Sequence, residues 1–139
     1  MLFLLDKSAH EVARRDENAR RTFETLAVTG VLATCAVVEL EILYSARNPT
    51  DHRRLKTYLR EQCVWLETTD EILGAAVDLQ ETMLKAGMHR KPIPDLIIAA
   101  VARAHNAVLV HYDRDFDDIS RVATGLRTRW IVPPRPAAG

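Results

Sequence analysis

Short apolar runs of four or so residues alternate with helix-length segments from one end of this chain to the other, and that alternation restricts its fold more than any other feature. Leu2-Phe3-Leu4-Leu5 is continuously apolar and stops at Asp6, as a strand buried on both faces does. Val31-Leu32-Ala33, following Gly30, Cys63-Val64-Trp65-Leu66, Ala107-Val108-Leu109-Val110 and a last run from Arg129 to Val132 read the same way. Between them the sequence predicts helices. One runs from about Ala9 to Leu26, capped by Ser8, with a polar face carrying Arg14, Arg15, Asp16, Glu17, Arg20 and Arg21. Another, about Ala36 to Ala46, is apolar nearly all round and should be buried. Asn48-Pro49-Thr50 introduces a third, Asp51 to Glu61, and Thr68 with Glu71 has capping-box spacing for a long helix to about Lys85. Pro92 and Pro94 oppose helix in the loop Met88 to Pro94, after which Asp95 starts an apolar helix to about Asn106. A short helix is expected near Asp117 to Ala123. The expected fold is α/β, a three-layer α/β/α sandwich around a central, mainly parallel sheet.

At 139 residues the chain suits one domain, expected over 1–132, with a Pro-rich tail over 133–139 that holds no core residue. A hydrophobic fraction of 47% excludes a disordered chain, and no window approaches the roughly 18 unbroken apolar residues of a membrane span. Nineteen basic residues balance nineteen acidic ones, so nucleic-acid binding must come from a local patch or be bridged by a cation. The cysteines, Cys35 and Cys63, form no CxxC pair, which disfavours a zinc knuckle or dithiol centre and suits buried, reduced thiols. Leu2 to Leu5 is too short for a signal peptide and has no basic run before it, so a cytoplasmic protein is expected.

Ligands of an open parallel sheet bind beyond the carboxyl ends of its strands. Asp6 follows the first strand at once, and Asp113 shortly follows Val108-Leu109-Val110-His111-Tyr112. Asp95 stands at a helix start behind Pro92-Ile93-Pro94, and Glu39 or Glu41 lies in a helix with little polar surface to spare. Each acid taken alone reads equally as a turn residue, a helix cap or a solvated charge. Gathered in one cleft they would repel one another and raise at least one pKa, a penalty that a divalent cation removes. At the helix N-terminus Asp95 is expected to stay ionised, because the dipole favours the anion. The five histidines make no HxxxH pair, so an oxygen-only set favours Mg²⁺, with Mn²⁺ as a substitute, over zinc. Such ions catalyse attack of water on a phosphodiester. Helical angles alone leave Glu39 and Glu41 open. Trp65 and Trp130, both in expected strands, read as core residues.

The ordered set Asp6 (LLDKS), Glu41 (LEILYSA), Asp95 (PIPDLIIAA) and Asp113 (LVHYDRDF) resembles the PIN-domain nucleases and, in size and spacing, their bacterial VapC toxins, from Leu2 to about Val132. The family pattern pairs the first acid with a hydroxyl or amide residue two positions on, here Ser8. It selects Glu41, followed by Ser45-Ala46, over Glu39, although Gly is frequent where Ser45 stands. In its fourth segment His111 replaces a usual Thr, and Asp115-Phe116 supplies the trailing pair. The resemblance implies a Mg²⁺-dependent endoribonuclease, the toxin of a toxin–antitoxin pair. Asp6, Asp95 and Asp113 would bind metal with Asp115 assisting, Glu41 would position metal or the attacking water, and Ser8 would orient the first carboxylate. It also implies a homodimer and a small DNA-binding antitoxin that covers the active cleft. The RNA groove would draw on Arg14, Arg47, Arg90 and Arg114, with Arg15, His89 and Lys91 as further candidates.

Other classes fit less well. A catalytically inactive PIN-like interaction module would not need all four acid positions filled, whereas a solitary PIN nuclease without antitoxin would. A phosphoacceptor receiver needs an Asp ending the third strand, where Glu67 follows Trp65-Leu66. The five glycines form no phosphate-binding loop, and DKSAH lacks the second Asp of a haloacid-dehalogenase-like phosphatase.

Overall fold

The structure is a computed structural model and describes residues 1–136; the end of the expected tail, 137–139, lies outside the described residues. Five strands form one sheet in the order β3-β2-β1-β4-β5: β1 (Leu2–Leu5), β2 (Val31–Cys35), β3 (Val64–Leu66), β4 (Val108–His111) and β5 (Arg127–Trp130). All four pairings are parallel, Leu4 of β1 facing Ala33 on one side and Leu109 on the other. The α/β/α expectation holds. The chain builds outward from β1 to β3 and then crosses back to place β4 on the other flank of β1. The order reverses between β1 and β4, the kind of switch point beyond whose carboxyl ends an open parallel sheet binds its ligands.

Alternation along β1 divides the interior into two layers. Leu4 points into a core closed by α3 (Ala36–Leu43), α4 (Pro49–Gln62), α5 (Asp70–Lys85), α6 (Ile93–Ala104) and α7 (Asp115–Val122). Phe3 and Leu5 point into a smaller core under α1 (Lys7–Arg15) and α2 (Glu17–Thr29). Gly30, at the turn into β2, is demanded by packing rather than by backbone angle: a Cβ there would stand 2.6 Å from both the Met1 carbonyl and the Phe3 ring. Gly30→Ala should therefore destabilise the fold by about 1–3 kcal/mol, as overpacking does, read as a lowered urea midpoint with unchanged slope.

Several element boundaries differ from expectation. The single helix over 9–26 is two, because Asp16 leaves helical geometry (φ −121°, ψ 125°) and its carboxylate caps α2 by accepting the Ala19 N–H at 2.8 Å. Asp6 rather than Ser8 caps α1. Thr69 rather than Thr68 caps α5, through the Ile72 N–H. α6 starts at Ile93, two residues early, since Pro94 in a first turn needs no N–H partner. β5 lies two residues before its expected start, and α3 ends at Leu43. Trp65 is not a core residue: it is 42% exposed on the edge strand, with the Arg60 guanidinium 4.4 Å over its ring. Trp130 is half-buried, its indole N–H donating to Asp117 Oδ1 at 2.9 Å. Among the described residues no helix is long and apolar enough to cross a membrane.

Candidate active site

One hydroxyl ties the first of the two strand-ending acids to the loop that carries the second. The Asp6 amide donates to the Val110 carbonyl at 3.2 Å, continuing the β1–β4 ladder past the strand end. Its carboxylate Oδ1 accepts the Ser8 hydroxyl at 2.7 Å and the Ala9 N–H at 3.1 Å. Ser8 Oγ in turn accepts the Tyr112 N–H at 2.8 Å, so it joins the first carboxylate to the loop after β4. Within that loop Asp113 Oδ1 accepts the Asp115 N–H at 2.9 Å, opening α7.

Asp95, in the first turn of α6, is buried, and carboxylate oxygens of Asp95, Asp113 and Asp115 lie within 4.8 Å of one another. Asp6 and Glu41 share their field. Burial, then Asp113, Asp6, Glu41 and Asp115 in that order, push Asp95 up to about 7. Burial above all, reinforced by Asp113, lifts Asp6 to about 6 despite its hydrogen bonds from Ser8 and Ala9. Glu41, half-buried, is also raised, by desolvation first and with Lys7 opposing. In the metal-free protein desolvation and four neighbouring carboxylates thus oppose the helix dipole, which contributes on the order of 1 kcal/mol, and hold Asp95 well above the usual carboxylate range.

The third dimension separates the two glutamates. Glu39 is buried against α4 in a two-pronged ion pair with Arg60, Nε to Oε1 at 2.7 Å and a terminal nitrogen to Oε2 at 3.2 Å. Glu41 instead lines a cleft of about 370 Å³ with Lys7, Leu40, Tyr44, Ile93 and Ile97. The basic candidates scatter. Arg14 lines a different cleft with His10, Phe23 and Tyr58, and Arg47 lies in a groove at the α3–α4 turn with His52, Arg53 and Lys56. Arg90, in left-handed geometry (φ 68°), bonds His89. Arg114 donates to the Arg135 carbonyl at 3.1 Å and lies 5.9 Å from the Trp130 ring centre. Lys91 binds Asp115 at 3.1 Å and Asp118 at 2.6 Å. The sequence reading assigns no pairing to Asp118, which stands there as part of a solvated acidic turn, or to Lys7 beside Glu41. Asp118 was within reach, since i and i+3 share a helix face and Lys91 bridges that pair.

Oxygen-only donors, crowded negative charge and two carboxylates driven toward neutral pKa suit a hard divalent cation better than any softer metal. A parallel α/β sandwich with such a cluster at its switch point defines a class of metal-binding hydrolytic folds. Comparison with known proteins narrows it. Residues 3–122 match the PIN domain family. Ribonuclease VapC21 of Mycobacterium tuberculosis strain H37Rv is 41% identical over 97% of each chain, and Ribonuclease VapC51 of the same strain is 38% identical over 94% of this chain and 93% of its own. The structure of VapBC2 from Rickettsia felis bound to a promoter DNA fragment superposes with a TM-score of 0.77 at 18% identity, covering 94% of this chain and 98% of that one. The chain belongs to the PIN-domain family, as a member of its VapC group.

Proposed function

We propose that this protein is the toxin of a toxin–antitoxin pair and a Mg²⁺-dependent endoribonuclease, with Mn²⁺ able to take the place of Mg²⁺. The observation that carries the reading is the cluster of Asp95, Asp113 and Asp115, with Asp6 and Glu41 in its field, in a chain 41% identical to a named ribonuclease. Asp6, Asp95 and Asp113 hold the cation, and Asp115, shared with Lys91, assists. Ser8 aims the Asp6 carboxylate by donating to one of its oxygens while its own oxygen is fixed by the Tyr112 amide. Glu41, less buried than Asp95 and raised in pKa, orients the attacking water and can take its proton. A bound divalent cation supplies Lewis-acid polarisation of the phosphate and acidifies water. Arg114 and Lys91, both on segments that carry the acids, are the best placed of the basic candidates to meet the RNA backbone; Arg14, Arg47 and Arg90 would act on RNA lying further out.

The partner is a small DNA-binding antitoxin, in keeping with the VapBC complexes this fold resembles. Leu40, Tyr44 and Ile93 are 69%, 88% and 65% exposed beside Glu41, an apolar border suited to a partner segment that covers the crevice. The protein acts as a homodimer.

A cleavage assay on structured RNA tests the activity. Cleavage is expected with Mg²⁺ or Mn²⁺ and is lost in EDTA; cleavage that persists in EDTA removes the proposal. Co-expression with the product of a short adjacent reading frame should suppress that cleavage. A solitary nuclease would be unaffected.

A further inference from the structure

His111 closes β4 and is completely buried, two residues before Asp113. Its Nδ1 lies 3.2 Å from the Asp113 amide nitrogen. A backbone amide can only donate, so Nδ1 is the acceptor and bears no proton; the neutral ring carries its hydrogen on Nε2. That Nε2 has no polar partner among the described residues. The ring instead sits between Phe116 and Trp130, with centroids 5.1 and 4.9 Å away. Aromatic walls therefore fix the imidazole plane, and full burial keeps water from competing for the Asp113 amide.

We propose that His111 is a positioning residue for Asp113, its Nδ1 anchoring the amide from the core and so setting where the Asp113 carboxylate meets a divalent cation. The loop then has an acceptor for each amide that matters: Ser8 for Tyr112, His111 for Asp113, and Asp113 itself for Asp115. Ser8 acts from the crevice side and touches Asp6. His111 acts from beneath and touches no other acid of the site. The inference rests on Asp113 being a cation ligand.

Two variants separate positioning from packing. His111→Phe keeps the aromatic fill and removes the acceptor. His111→Asn keeps an acceptor oxygen near the Nδ1 position and loses the ring packed against Phe116 and Trp130. Mn²⁺ affinity, followed by electron paramagnetic resonance of the free ion, should fall roughly tenfold in His111→Phe and stay within about threefold of the parent in His111→Asn. Thermal stability should run the other way, with His111→Asn the less stable. Asp113→Asn is the control. If it binds Mn²⁺ like the parent, the assignment of the cation site fails; if it loses Mn²⁺ while His111→Phe does not, only the role of His111 fails. Nitrogen-15 NMR of the unmodified protein should show His111 protonated at Nε2 alone, and a proton on Nδ1 overturns the inference without any variant.

Discussion

Asp95→Asn should abolish divalent-dependent RNA cleavage, by at least roughly 10³-fold, while making the metal-free protein more stable above neutral pH. The two effects have one cause. In the folded state Asp95 is pushed up to about 7 by burial and by the carboxylates of Asp113, Asp6, Glu41 and Asp115, whereas in the unfolded chain it titrates near 3.8. A folded carboxylate that holds its proton more tightly than the unfolded one makes the fold lose stability as pH rises from about 4 through about 7. Asn carries no such charge. The variant should therefore gain on the order of 2–4 kcal/mol over the parent at pH 8 in EDTA, and the gain should vanish near pH 4. His10 and His111, which burial pushes down to about 4, contribute with the opposite sign, but they are common to both proteins and cancel in the difference. Paired urea titrations at pH 4 and pH 8 measure it. A variant no more stable than the parent at pH 8 would mean that the carboxylates do not share one field.

Mn²⁺ affinity should collapse on mild acidification. To ligate, Asp6 and Asp95 must first lose protons held with pKa values of about 6 and about 7. Between pH 7.5 and pH 5.5 the two deprotonations together cost about 10²-fold in affinity, far more than ordinary carboxylates would, since those are ionised throughout this range. Isothermal titration at several pH values measures the slope and the protons released. Flat affinity across that interval would show the acids already ionised and the crowding ineffective.

How much of the site could be read in one dimension follows from the kind of interaction involved. Asp6 and Asp113 are visible because a buried parallel strand is an unbroken apolar run, and the first charge after it marks the carboxyl end where the crevice opens. Strand and helix positions were legible for the same local reason. The break at Asp16 was not, since a capping Asp within a run of helix-forming residues is indistinguishable from a surface Asp until the chain turns. Trp65 looked internal because strands usually are, yet β3 lies at the sheet edge with Arg60 over it, and edge position is a property of strand order.

Asp95 shows the division most clearly. Its place at a helix start is local, and the dipole argument that follows is sound for an isolated helix; the neighbours that oppose it come from the β1–α1 junction, α3, α7 and the loop after β4. Helical angles leave Glu39 and Glu41, two residues apart, open, and only the family pattern favours Glu41; the fold gives the physical reason, since Arg60 of α4 takes Glu39 into an ion pair and Glu41 is left facing the cleft. The sequence alone determined the layered α/β fold and which acids stand at strand and helix ends, because hydrophobic period and turn chemistry act between near neighbours. Only the tertiary structure decided which carboxylates share a field, which one is neutralised by an arginine, and that a buried histidine holds the Asp113 amide, because electrostatic coupling and desolvation depend on distances between residues far apart in the chain.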